Sequence, residues 1–116
     1  MSKSSCSELK LYEVEYRDRG NKGAYFPSTF VVYDRKSPEG KRLERIFFEV
    51  ARSHDTSKLD DFLGEYGIRD DEVAYYWDRR FYNEDGTPDE ELKEEIEEAF
   101  DLDIKSMQEA TPCKIN

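Results

Sequence analysis

Residues 37–53 read SPEGKRLERIFFEVARS. Their reading decides the fold, because they follow a strand-patterned segment and precede a helix-patterned one. Ser37-Pro38-Glu39-Gly40-Lys41 has the chemistry of a hairpin loop: Pro sets φ at the second turn position and Gly takes the left-handed position that follows. Beyond it two periods compete. Leu43, Ile46, Phe47, Val50 and Ala51 fit a helical stripe. Ile46, Phe48 and Val50 fit the alternation of a strand. The β-branched and aromatic content, and the cost of Gly40 in a first helical turn, favour the strand. The reading adopted is a hairpin loop followed by a strand over 41–52. Lys36, Lys41, Arg42 and Arg45 then guard its tip against edge pairing.

Working outward from there, Leu9 to Tyr16 alternates, with Tyr12, Val14 and Tyr16 on the inward side of a first strand. Asp18 to Gly23 is a turn cluster. Ala24 to Asp34 is rich in Tyr, Phe, Thr and Val and reads as a second strand, with Pro27 marking an edge, a bulge or its start. Downstream, Asp55 or Thr56 caps a helix that presents Leu59, Phe62, Leu63 and Tyr66 on one face and ends at Gly67. Residues 70–82 again fit both periods, and aromatic density favours a strand. Asn83 to Gly86 is a turn. Thr87, Pro88 and Glu90 form an N-cap, a first-position proline and a capping box, so a helix runs from 88 with Leu92, Ile96, Ala99 and Phe100 inward. Leu102 to Ala110 reads as a short further turn of helix.

These elements predict an α+β fold: an antiparallel sheet of three to four strands packed against two or three helices. It forms one small domain over residues 1–116, with loose tails at 1–8 and 111–116. Leu, Ile, Val and Phe make up only 24 of the 116 residues, so the eight Tyr, seven Phe and one Trp must supply much of the core. No apolar run has the length of a leader's h-region or a membrane span, which leads us to expect a cytoplasmic protein. Cys6 and Cys113 read as reduced thiols in that compartment.

Charge is divided by position. Residues 1–58 carry 12 basic and 9 acidic side chains; residues 59–116 carry 6 and 19, and the chain's net charge is −10. Such a field favours basic partners and repels nucleic acid and anionic membrane. Between Asp89 and Asp103 nine of fifteen residues are acidic. On a helix, Glu90, Glu94, Glu97, Glu98 and Asp101 would stand about 5–6 Å from their neighbours one turn away, close to the spacing of phosphates along a strand. A second group, Tyr75 to Tyr82, holds Tyr76, Trp77 and Arg80, residue types that anchor interfaces.

Catalytic chemistry finds little support. His54 is the single histidine; it has no partner set for a metal site and no nucleophile placed beside it. There is no glycine-rich phosphate loop. Setting Asn83 to Gly86 in a calcium loop would put Phe81 and Leu92 at ligand positions, and neither offers oxygen. The chain is therefore read as a non-enzymatic acidic protein with no cofactor and no metal. Its partner is a basic, nucleic-acid-binding protein, with Glu90, Glu94, Glu97, Glu98, Asp101, Tyr76, Trp77 and Arg80 as contacts. The alternative is an interaction or immunity-type module that binds through the aromatic and arginine cluster. In size, acidity, aromatic content and lack of a catalytic signature the chain is similar to small inhibitors encoded by phages and mobile elements. Those block restriction, CRISPR or other nucleic-acid machinery. This is a likeness of type that assigns no residue.

Overall fold

Alternation places Leu9 and Leu11 on one side of the first strand, β1 (Leu9–Asp18), and Tyr12, Val14 and Tyr16 on the other. In this computed structural model, which describes residues 9–80, 85 and 90–111, both sides are covered at some point along the strand. β1 pairs antiparallel with β2 (Phe26–Tyr33) and, on its other edge, with β4 (Leu102–Thr111). β3 (Val73–Asp78) lies beside β2, giving the order β3-β2-β1-β4. Three helices pack on this sheet: α1 (Pro38–Ser53), α2 (Ser57–Gly64) and α3 (Leu92–Phe100). The α+β class is the one the sequence predicts, while two of the elements differ in type from that reading.

The segment 37–53 is the main correction. It is neither a hairpin loop nor a strand but the first helix. Ser37 is its N-cap, accepting a hydrogen bond from the Gly40 amide at 3.0 Å, and Pro38 takes the first helical position. Gly40 is there for lack of room. A Cβ on it would lie 1.9 Å from the Asp34 carbonyl oxygen. The apparent turn signal is thus a close approach between the first turn of α1 and the end of β2. Leu43 is fully buried, and Ile46, Phe47 and Val50 pack on the same core.

That correction carries the topology with it. A strand after a hairpin would have run antiparallel to β2. Instead α1, α2 and a 3-10 turn at Asp70–Glu72 carry the chain back across the sheet, so β3 enters parallel to β2. A crossover of this length is what parallel pairing requires. The sheet is therefore mixed.

β4 is the second correction, since 102–110 is a strand and not a helical turn. Asp101 adopts a left-handed conformation (φ 59°) and ends α3. Leu102, Ile104 and Met107 then face one core. Lys105 and Ala110 have no partner on β1, where the register shifts. These bulges break the period of two and hide the strand from a reading of alternation.

Two cores result. Leu9, Leu11, Val31 and Tyr33 meet Leu43 of α1 and Leu59, Phe62, Leu63 and Tyr66 around α2 on one face. Val14, Phe30 and Val32 meet Leu92, Ile96, Leu102 and Ile104 on the other, where α3 packs. Each fully buried aliphatic or aromatic side chain contributes about 1.5–3 kcal/mol. Glu39 is the one buried charge among the described residues. It accepts from the Tyr66 hydroxyl at 2.6 Å and from Arg42 at 3.2 Å, which also grips Glu65. Thr56 is the N-cap of α2, but Asp55 supplies the side-chain acceptor, taking the Ser57 amide at 3.0 Å. The cap at Thr87-Pro88, the turn at Asn83 to Gly86 apart from Asp85, and both cysteines lie outside the described residues.

Candidate partner-binding surface

The helix α3 is held to the sheet by Leu92 and Ile96, and by Phe100, which packs on Tyr75 and meets Trp77 edge-on at ring-centroid distances of 4.3 and 5.4 Å. Its opposite side is solvent. Glu94 and Glu98 stand there one turn apart and exposed, with Glu90 one turn earlier and Asp101 at the C-cap. The helical period sets Glu94 and Glu98 on this side as the centre of a ridge, Glu90 lies in the turn before the helix and Asp101 closes the helix, and all four are exposed. Among the described residues Glu90 and Glu94 have no ion pair.

Glu97 is placed differently. Its carboxylate accepts from the Ile104 amide at 2.9 Å and lies 3.5 Å from Lys93, tying α3 to β4. It is a structural clip and not part of the outward ridge. Glu95 reaches sideways to Arg79 at 3.1 Å.

Acids crowd the C-terminal end of α3, where the helix dipole disfavours them. Arg19, in the β1–β2 loop, answers this. Its guanidinium donates to the Glu97 carbonyl at 3.2 Å and the Leu102 carbonyl at 3.4 Å, and lies 3.5 Å from Glu98 and 3.3 Å from Asp101. Arg19 therefore caps the helix and fixes the spacing of the ridge at that end.

The acids of the second half do not make a single face. Asp60 and Asp61 of α2, with Asp70, Asp71 and Glu72, lie on the side of the sheet that α1 covers. There Asp71 and Glu72 join Glu13 and Glu15 around an open concavity of about 710 Å³. The outcome follows from the topology, which sends α2 and α3 to opposite faces. No three His, Cys, Asp or Glu side chains converge on a possible metal position among the described residues. No described helix is long and apolar enough to cross a membrane.

Strand alternation divides the aromatic cluster. Tyr76 turns to the α1 side, packing on Phe47 at 4.9 Å and donating to Asp70 at 3.3 Å. Tyr75 and Trp77 turn to the α3 side. All three are half-buried, Arg80 is exposed, and Phe81 and Tyr82 lie outside the described residues. Burial first, then the Asp70 charge, pushes the Tyr76 hydroxyl well above its usual pKa. Among the described residues the exposed aromatics are instead Phe48 (70%) and Phe26 (55%). Strand periodicity had set Phe48 beside Ile46 and Val50; the helical stripe through Leu43, Ile46, Phe47 and Val50 leaves it outside, which is the signal that would have found it.

Comparison with protein-family models, curated proteins and solved structures finds no match.

Proposed function

We propose that this is a non-enzymatic acidic binding protein that inhibits a nucleic-acid-binding protein or complex by occupying its basic groove. The type is that of the phage and mobile-element inhibitors of restriction or CRISPR complexes. The observation that supports the reading is the ridge Glu90–Glu94–Glu98–Asp101, exposed along one side of α3 and anchored at its end by Arg19. Carboxylates one turn apart stand about 6 Å from each other, the scale on which a basic groove receives phosphates. A groove lined by Lys and Arg gains from such a ridge by electrostatic steering, and the contact weakens as salt rises. Arg80, exposed at the end of β3, and the half-buried Trp77 and Tyr76 stay in the reading as flanking contacts.

The test is capture from lysate at about 50 mM and 500 mM salt, followed by displacement of labelled DNA or RNA from the captured protein. Glu94→Lys with Glu98→Lys should lower affinity at least a hundredfold, on the order of two buried charge pairs reversed. Glu97 is left intact because it holds β4. Unchanged affinity in the double variant refutes the proposal.

A further inference from the structure

The outer side of α1 is a second surface, unrelated to the acidic ridge. Lys41, Arg45, Phe48 and Arg52 are exposed. At about 100° per residue they fall within roughly 60° of the helix circumference. They form one line along α1, cation, cation, aromatic, cation, with rises of about 6, 4.5 and 6 Å between neighbours. No carboxylate lies on that line. Phe48, at 70% exposure, is the most exposed large apolar side chain described, and it belongs to neither core. Beside the line α1 and α2 enclose a concavity of about 470 Å³, lined by Ile46 and Phe48, by Arg42, Arg45 and Lys58, and by Glu49 and Asp61.

Several of the neighbouring charges are already engaged. Glu44 accepts from the Tyr33 hydroxyl at 2.8 Å, Glu49 lies 2.6 Å from Arg52, and Arg42 is held by Glu39 and Glu65. Lys41 and Arg45 have no ion pair among the described residues.

We propose that this face docks an acidic segment of a protein partner. The segment presents one large apolar side chain to Phe48 and the concavity. A carboxylate on one side of it meets Lys41 and Arg45, and a carboxylate on the other side meets Arg52. The Arg52–Glu49 pair is exposed and contributes little by itself. A guanidinium has five N–H donors, so Arg52 can hold a second carboxylate.

The spacing suits an extended peptide. Residues two apart in an extended chain point the same way and stand about 6.6 Å from each other. Carboxylates two residues before and two residues after an apolar side chain therefore fall close to the cations one turn to either side of Phe48. Ile46 and Phe48 give the concavity an apolar floor, which calls for an apolar side chain. Glu44, Glu49 and Asp61 flank the line. A polyphosphate, charged at every step, would meet repulsion there that a segment with two placed carboxylates avoids. A lipid surface would need a broader apolar face than one aromatic ring.

The helices α1 and α3 stand on opposite faces of the sheet. Charges more than about 8 Å apart are largely screened at physiological ionic strength, so the ridge repels an acidic segment here only weakly. One aromatic contact and two or three exposed charge pairs make a reversible complex, dissociating on the order of a hundred micromolar. The contact does not depend on what the ridge binds.

The probe is a fluorescein-labelled peptide, Gly-Ser-Glu-Ser-Leu-Ser-Glu-Ser-Gly, followed by fluorescence anisotropy against the full chain up to about 1 mM, in roughly 50 and 300 mM salt. Binding should saturate and weaken severalfold at the higher salt. Phe48→Ser and Arg45→Glu should keep the circular dichroism of the parent and each weaken binding about tenfold. Changing the peptide's Leu to Ser should do the same. Glu94→Gln with Glu98→Gln should leave it within about twofold, which separates this face from the ridge. No binding at 1 mM overturns the proposal, and so does binding indifferent to Phe48→Ser or to Arg45→Glu. A single-stranded oligonucleotide or a phosphatidylserine vesicle that binds more tightly than the peptide and is lost in Arg45→Glu overturns it in favour of a phosphate-bearing partner.

Discussion

Replacing Gly40 by Ala sets helix propensity against close packing, and the structure decides the sign. In a helix interior Ala is favoured over Gly by about 1 kcal/mol. At position 40 the new Cβ would lie 1.9 Å from the Asp34 carbonyl oxygen, 2.6 Å from the Asp34 carbonyl carbon and 2.9 Å from the Arg35 Cα. All three are backbone atoms, so no side chain can swing aside. The first turn of α1 must retreat by more than 1 Å from the end of β2, at about 1–3 kcal/mol or more for overpacking. Retreat also loosens the Ser37 cap, whose hydroxyl donates to the Asp34 carbonyl at 2.6 Å and accepts the Gly40 amide at 3.0 Å. That adds about 1 kcal/mol. The net expectation is a loss of roughly 2–3 kcal/mol, or a fall in melting temperature of about 8–12 °C for a chain of this size. Gly64 supplies the control. It ends α2, its φ is not left-handed and no atom lies within 4 Å of a Cβ built there, so Gly64→Ala should be neutral or slightly stabilising. Thermal melts followed by circular dichroism compare the two. An unchanged or raised melting temperature for Gly40→Ala would refute the claim that this residue marks a helix wedged against β2.

Arg19→Ala should cost about 1 kcal/mol, discounted because the side chain is partly exposed. It should also raise hydrogen exchange in the last turn of α3; equal protection in parent and variant would show that the guanidinium does not cap the helix. The Tyr33 and Tyr76 hydroxyls are held above the usual tyrosine pKa of about 10, in each case first by burial and then by Glu44 or Asp70. A folded-state pKa above the unfolded one gives stability that is present below about pH 10 and is lost as the pH rises through and beyond it. Melting temperature should therefore drop above pH 10, and less steeply in a Tyr33→Phe, Tyr76→Phe double variant; equal slopes would contradict the assignment.

The elements legible in the sequence are those whose period one rule could set. The alternation of β1 sends Leu9 and Leu11 to one core and Val14 to the other, while the stripe Leu59, Phe62, Leu63 and Tyr66 around α2 and the inward set Leu92, Ile96 and Phe100 of α3 each face a single core. The misread elements are those in which tertiary contact rewrote a local signal. Gly40 resembles a turn residue because the fold needs a missing Cβ, and Ser37-Pro38 is a helix start with the same composition as a hairpin tip. Lys105 and Ala110 interrupt β4 with bulges that cancel its alternation. The site follows the same division. The centre of the ridge was legible because i, i+4 spacing alone aligns Glu94 and Glu98. The inward turn of Glu97 was not, because it depends on the Ile104 amide arriving from β4. Nor was Arg19, which lies 78 residues from Glu97 in sequence and reaches it only once β1 and β4 are paired. The outward turn of Phe48 has the same origin as the parallel entry of β3. Both follow once 38–53 is a helix, because a helix there carries the chain back over the sheet and leaves Phe48 off its buried stripe. One local decision, taken between two periods of similar strength, thus sets the sheet topology and the exposed face of α1 together.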